Sequence, residues 1–120
     1  MKLLMKNSNS KKSLMIGIVH TDGSGENNPP LEKLSDLYDE LLNADQEHGD
    51  VAVINDDFGW CMSAHRDGRL VFEKLGSRGT TTRHMKPLKK ENVLSLWRRL
   101  VAGEIDSLLL EPWKDGYGTI

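Results

Sequence analysis

Four short strand-like runs, with a side-chain period of two, follow one another at residues 51–54, 59–64, 69–75 and 80–85. The connections between them are only four residues or fewer. A pair of parallel strands needs a crossover of roughly a dozen residues or more, so neighbouring runs must be antiparallel. The sequence therefore predicts a β-meander, and this prediction limits the possible folds more than any other feature of the chain.

The dipeptide Asp67-Gly68, between the second and third runs, is the strongest hairpin motif in the chain. In a type I′ turn both central residues have a positive φ, a conformation that Asp and Gly tolerate. The sequence predicts a type I′ turn at these two residues.

The residues before the meander predict a strand, a loop and a helix. Residues 14–19 are apolar and partly β-branched, as in a buried strand, whereas residues 21–30 are dense in turn-forming residues. Pro30 suits the first turn of a helix, which we expect to run to about residue 47, before Gly49. Its apolar positions recur at three- and four-residue spacing: Leu31, Leu34, Leu37, Tyr38, Leu41 and Leu42.

A second helix is predicted after Pro87 and before Gly103, with an apolar stripe that includes Trp97. A short helical turn should follow up to Pro112, and Trp113 should pack back on the core. Together these elements predict an α+β fold, an antiparallel β-meander of about five strands packed against an N-terminal and a C-terminal helix. We expect a disordered basic tail at residues 1–12 and a single domain at residues 13–120.

The length and composition favour a small cytoplasmic protein. A chain of 120 residues can bury one core. Its single cysteine, Cys61, cannot form an intramolecular disulfide, which favours a reducing compartment. The apolar start ends at Lys6, too early for a signal peptide, and no stretch approaches the roughly 18 apolar residues of a membrane span.

The charges are distributed unevenly along the chain, although the net charge is −2. Residues 21–60 contain eleven Asp or Glu against Lys33 alone, and residues 61–100 contain ten Lys or Arg against three acids. The two segments could pair with each other on folding. Alternatively, the acidic segment could form an exposed face that attracts a basic partner and raises the association rate.

Residue spacing gives no support for catalysis, metal binding or a cofactor. The four histidines lie far apart in sequence, and Cys61 has no second cysteine. Residues four apart on a strand, such as Cys61 and His65, are roughly 13 Å apart, too far for the histidine to activate the thiol. Gly23-Ser24-Gly25 lacks the remaining residues of a phosphate-binding loop. We therefore predict a protein that is not an enzyme, with no catalytic, cofactor-binding or metal-binding residues.

The order of elements resembles the small α+β immunity proteins that bacteria encode beside polymorphic and contact-dependent-inhibition toxins. The resemblance covers residues 14–113 and includes the acidic helix from Leu31 to Leu42, the hairpin around Asp67-Gly68, and Gly103-Glu104-Ile105 leading to Pro112-Trp113. It implies a protein that binds its cognate toxin domain and blocks the active site or an exosite, without a cofactor. A basic nuclease would suit the acidic segment.

Two other functions remain open. One is an unrelated protein-interaction or regulatory module, and the other is a nucleic-acid-binding domain that uses Arg66, Arg69, Lys74, Arg78, Arg83 and Lys86. For the immunity function, the predicted partner-binding residues are acidic: Glu32, Asp36, Asp39, Glu40, Asp56 and Asp57.

Overall fold

A computed structural model of the protein describes residues 15–44, 49–76, 81–86 and 89–118. The strands in these ranges are β1 (Ile16–Val19), β2 (Gly25–Asn27), β3 (Asp50–Asn55), β4 (Trp60–His65), β5 (Leu70–Lys74), β6 (Arg83–Met85) and β7 (Lys114–Asp115). The helices are α1 (Lys33–Leu42), α2 (Lys90–Val101) and α3 (Ile105–Leu109). The predicted tail, residues 1–12, lies outside the described residues.

The described strands form one antiparallel sheet in the order β2-β1-β3-β4-β5-β6-β7. Strands β3 to β6 pair in sequence order, which confirms the predicted meander. Strand β1 pairs with β3, and Ile18 lies opposite Val53, with α1 between the two strands in sequence. The predicted α+β fold class is confirmed.

One face of the sheet carries the core. The register places Ile18, Val53, Met62 and Phe72 in one row across four strands, and each is at most 1% exposed. Because side chains alternate along a strand, the whole row points to the same face. Helix α1 covers this face with Leu34, Leu37 and Leu41, and α2 covers it with Val93, Leu94, Leu96, Trp97 and Leu100.

Trp97 connects the two long helices to the sheet. It is fully buried, and its indole N–H donates a hydrogen bond to the backbone oxygen of Met62 at 3.1 Å. Tyr38 of α1 meets the Trp97 ring edge-on, with 6.5 Å between ring centroids. The predicted placement of Trp97 in the core is confirmed.

Helix α1 is shorter than the sequence predicts, because it ends at Leu42 rather than near residue 47. The side-chain amide of Asn43 donates to the Asp39 carbonyl at 3.0 Å, which closes the last turn. The prediction that Leu31 and Leu42 belong to the buried stripe is wrong, since they are 47% and 57% exposed. Leu31 precedes the helix, and Leu42 lies on the outer side of its last turn.

The segment predicted as a loop at residues 21–30 contains the edge strand β2. It pairs with β1, so that Glu26 lies opposite Ile18. Asn28 ends this hairpin with a φ of 51°, and its side-chain oxygen accepts a hydrogen bond from the Ile16 N–H at 2.8 Å. The residues of β2 have low strand propensity, so their conformation comes from pairing with β1.

The turn at residues 66–68 differs from the predicted type I′ geometry. Gly68 has a φ of 97°, but Asp67 does not have a positive φ. The Gly68 N–H donates to the His65 oxygen, and the His65 N–H donates to the Arg69 oxygen. This is the pattern of a three-residue loop, a type I turn followed by a left-handed glycine. Both Asp67 carboxylate oxygens accept hydrogen bonds from Arg69, one from its backbone N–H and one from its guanidinium.

Trp113 packs on the core as predicted, and the residues that follow it form a strand that the sequence did not predict. Trp113 stacks on Phe72, with 5.3 Å between ring centroids, and donates a hydrogen bond to the Leu108 oxygen. Strand β7 then pairs with β6, and Tyr117 crosses to the other face of the sheet, where its hydroxyl donates to Glu73 at 3.1 Å. Val71, which points to the same face as Glu73, is 1% exposed.

Candidate protein-binding surface

Three of the six predicted partner-binding residues lie on the outer side of α1. Glu32, Asp36 and Asp39 are exposed, and their spacing of three or four residues places them on one side of the helix. The opposite side carries the buried leucines. We call Glu32, Asp36 and Asp39 the outer acidic face.

Glu40 is half-buried and is engaged by other residues of the chain. One carboxylate oxygen accepts a hydrogen bond from the Thr21 N–H at 2.8 Å, and the other lies 2.9 Å from His20 Nδ1. On the opposite side of the ring, His20 Nε2 lies 2.6 Å from Glu26. Because carboxylates accept and do not donate, this arrangement favours the protonated ring, in which both nitrogens donate. We call His20, Glu26 and Glu40 the histidine clamp.

The clamp changes the pKa values of His20 and Glu40. The hydrogen bond with Glu26, then the one with Glu40, raises the pKa of His20 above its ordinary value. Partial burial opposes the charged form of Glu40, but the hydrogen bonds from Thr21 and His20 outweigh it and lower the pKa of Glu40. The clamp therefore connects β1, β2 and α1 through charged hydrogen bonds.

The acidic and basic segments are joined by an ion pair at the surface. Asp39, of residues 21–60, lies 2.8 Å from Lys90, of residues 61–100. Arg69 pairs locally with Asp67, and Arg99 pairs with Glu111. Internal pairing of the two segments therefore occurs at Asp39, while Glu32 and Asp36 are exposed.

Asp56 and Asp57 lie in the turn between β3 and β4, at the end of the sheet where β1 begins. Both are exposed. The Asp56 N–H donates to the Met15 oxygen at 2.9 Å, and the Asp57 carboxylate accepts from the Met15 N–H at 3.2 Å. Helix α1 begins near the same end of the sheet. Asn28, shortly before the helix in sequence, donates its N–H to the oxygen of Ile16, the first residue of β1. The structure thus places Glu32, Asp56 and Asp57 toward one end of the molecule and Asp39 toward the other.

The same turn exposes an aromatic ring that the sequence reasoning did not single out. Phe58 is 48% exposed, and it lies between the two aspartates and Gly59. Its position in a turn bounded by Asp residues was visible in the sequence. Its exposure was not, because an isolated Phe between two strands is equally compatible with burial.

Cys61 is not a candidate nucleophile. Burial raises its pKa to about 12, and the nearby negative charges of Glu73 and Asp50 act in the same direction. The thiol therefore stays protonated at neutral pH, and the thiolate is the reactive form.

Ser63 and His65 form a side-chain pair that the sequence reasoning missed. The Ser63 hydroxyl lies 3.2 Å from His65 Nε2. Burial, then the positive charge of Arg69, lowers the pKa of His65, so the ring is neutral at neutral pH. Strand β4 pairs with a strand on each side, so its backbone N–H groups form hydrogen bonds within the sheet. They are therefore not free to stabilise an oxyanion, as a serine nucleophile would require. Period-two spacing on a strand would have indicated that the two side chains share a face.

The basic residues considered for nucleic-acid binding are spread apart. Arg66 precedes β5 and Lys74 ends it, so they lie at opposite ends of that strand. Arg69 is hydrogen-bonded to Asp67 and to the Tyr117 oxygen. Arg83 lies over the Trp60 ring, 5.7 Å from its centroid. Lys86 is exposed, and Arg78 lies outside the described residues.

Among the described residues, no group of three or more His, Cys, Asp or Glu side chains could hold a metal ion. Likewise, no helix in the described part of the chain is long and apolar enough to cross a membrane. Comparison with protein-family models, curated proteins and solved structures found no match to this chain.

Proposed function

We propose that this protein is an immunity protein that acts in the bacterial cytoplasm, where it binds a cognate toxin domain and blocks its active site or an exosite. The observation that carries the proposal is the outer acidic face. Glu32 and Asp36 form no ion pair with any described residue, and Asp39 has Lys90 as its partner. Glu32 and Asp36, which have no ion-pair partner among the described residues, are available to a basic partner.

The outer acidic face would act mainly on association. Carboxylates at three positions of one helix side create a local negative potential that accelerates the approach of a positively charged surface. A nuclease binds a phosphate backbone through basic residues, so its substrate-binding surface is complementary to this face. Inhibition then follows from occupancy, and the immunity protein needs no catalytic group.

The proposal is tested by co-expression with the toxin domain encoded immediately upstream of this gene, with cell survival as the readout. We expect the parent chain to restore growth. Failure of the parent to protect cells or to bind the purified toxin domain, or a neighbouring gene that encodes no toxin, would contradict the immunity function.

A further inference from the structure

We propose that Phe58, together with Asp56 and Glu104, forms the anchor of the contact surface for a basic protein partner. This inference depends on the proposed function for the identity of that partner. It assigns the centre of the interface to the end of the sheet toward which Glu32, Asp56 and Asp57 lie.

The Phe58 ring is presented on a rigid turn. Asn55 is fully buried, and its side-chain N–H donates to the Leu100 oxygen at the end of α2, at 2.8 Å. Its side-chain oxygen accepts a hydrogen bond from the Phe58 N–H at 3.1 Å. One buried side chain thus attaches the turn to the helix layer and fixes the backbone of Phe58.

Gly103 makes room for the ring. Gly103 has a φ of 79°, and a Cβ built on it would lie 2.6 Å from Phe58 Cε2. The inner side of the ring therefore lies against the backbone between α2 and α3, while the outer side faces solvent. A half-exposed aromatic ring held in this way loses little conformational entropy when it is buried by a partner.

Apolar side chains and acids are exposed at the same end of the sheet as the ring. Met15 and Leu75, 44% and 45% exposed, belong to neighbouring strand ends, since Met15 pairs with Asp56 and Leu75 donates to the Gly59 oxygen. Asp56, next to Met15, and Glu104, next to Gly103, are exposed. Aromatic anchors surrounded by polar groups are typical of energetically dominant interface residues.

These charges favour a basic protein over a second copy of this chain. A two-fold symmetric dimer would place Phe58 and its flanking acids against the same acids of the other copy. Like charges across an interface disfavour that pairing. A partner with Lys or Arg around an apolar pocket has the opposite charge and accepts the ring.

The test measures binding of the purified neighbouring toxin domain to the Phe58→Ala variant and to a matched control. Tyr117→Ala is that control, because Tyr117 is 47% exposed against 48% for Phe58 but lies near β5 on the other face. We expect Phe58→Ala to raise Kd by about 30-fold or more, the usual threshold for a dominant interface residue, mainly through faster dissociation. Tyr117→Ala should change Kd by less than about threefold.

Removing the flanking carboxylates gives a second measurement. The double variant Asp56→Asn, Glu104→Gln keeps the ring, and we expect it to slow association by about fivefold or more at low salt. Thermal melts show whether each variant remains folded. If Phe58→Ala unfolds, the binding of Phe58→Leu and of the double variant tests whether this surface contacts the partner.

The outcomes separate this inference from the proposed function. If the parent binds the toxin domain and Phe58→Ala binds equally well, the anchor assignment is wrong and the immunity function stands. If the parent does not bind at all, the proposed function fails first. Self-association of the parent that Phe58→Ala abolishes would assign the surface to a second copy and overturn the proposal.

Discussion

Trp97 is the residue whose truncation should cost the most stability. It is fully buried between both long helices and the sheet, and its indole hydrogen-bonds the Met62 oxygen. We expect Trp97→Ala to lower the free energy of unfolding by roughly 3–5 kcal/mol, because it leaves a cavity that the rigid surroundings cannot fill. Chemical denaturation measures the change. Leu110→Ala is the control, since Leu110 is 86% exposed and its truncation should change stability by less than about 0.5 kcal/mol.

Gly68 is required because its backbone has a positive φ, and not because a side chain at this position would lack space. A Cβ at this position would meet no atom within 4 Å, but φ is 97°. We expect Gly68→Val to lower the free energy of unfolding by about 1–2 kcal/mol, because a β-branched residue is strained at positive φ. Gly68→Asn should cost clearly less, since Asn tolerates this conformation. Equal losses for the two variants would show that strain at positive φ is not the cause.

The Cys61 thiol should react slowly in the folded protein. With a pKa of about 12, it is almost entirely protonated at pH 8. We expect alkylation by iodoacetamide to be much slower than for a free thiol and to reach the free-thiol rate in denaturant. Mass spectrometry follows the modification. Fast labelling of the native protein at pH 8 would contradict the burial and charge assigned to this side chain.

At the scale of elements, the histidine clamp connects the β1–β2 hairpin to α1 and makes that connection sensitive to pH. His20 has a raised pKa, so its contribution to stability is fully present below its ordinary pKa of about 6.5 and is lost as pH rises through the higher, folded value. Glu40 has a lowered pKa, so its contribution is present above the ordinary pKa of a glutamate and is lost as pH falls through the lower, folded value. The clamp should therefore stabilise the fold most at mildly acidic pH, between the ordinary pKa of a glutamate and the ordinary pKa of a histidine.

The NMR titration of the His20 ring tests this arrangement. In the parent the midpoint should lie above 6.5, and Glu26→Gln should lower it because the stronger of the two hydrogen-bond partners loses its charge. Glu32→Gln is the control, since Glu32 is exposed and outside the clamp. A His20 midpoint at or below 6.5 in the parent would show that the ring is not held between two carboxylates.

At the scale of the whole molecule, the uneven charge distribution should govern how fast the partner binds. We expect the triple variant Glu32→Lys, Asp36→Lys, Asp39→Lys to associate with the toxin domain at least about tenfold more slowly than the parent, and the parent's association rate to fall with added salt. Stopped-flow measurements at two ionic strengths give the rates. Glu40 is left unchanged because it holds His20 and the Thr21 N–H.

The matched control for the triple variant carries the same change in charge at other places. Asp50→Lys, Glu91→Lys, Asp115→Lys alters three exposed acids on β3, α2 and β7. Similar slowing in both triple variants would mean that net charge, and not the outer acidic face, controls association. Unchanged rates in the first variant, with unchanged thermal melts, would remove α1 from the interface.

The sequence by itself determined the meander, the two long helices and the burial of Trp97. Each of these depends on local information: the side-chain period, the length of the connections and the spacing of apolar residues along a helix. The same information placed Glu32, Asp36 and Asp39 on the solvent side of α1, since positions opposite a leucine stripe face outward.

Only the tertiary structure decided which side chains meet across elements. Strand β2 forms because β1 offers its free edge, and the Glu40 carboxylate of α1 is engaged by His20, which follows β1. Phe58 stays half-exposed because its ring lies against Gly103, and because Asn55, which fixes its backbone, is attached to Leu100 of α2. Each of these contacts joins residues whose relative positions depend on the packing of the sheet against its helices, and neither side-chain period nor residue spacing along the chain contains that information.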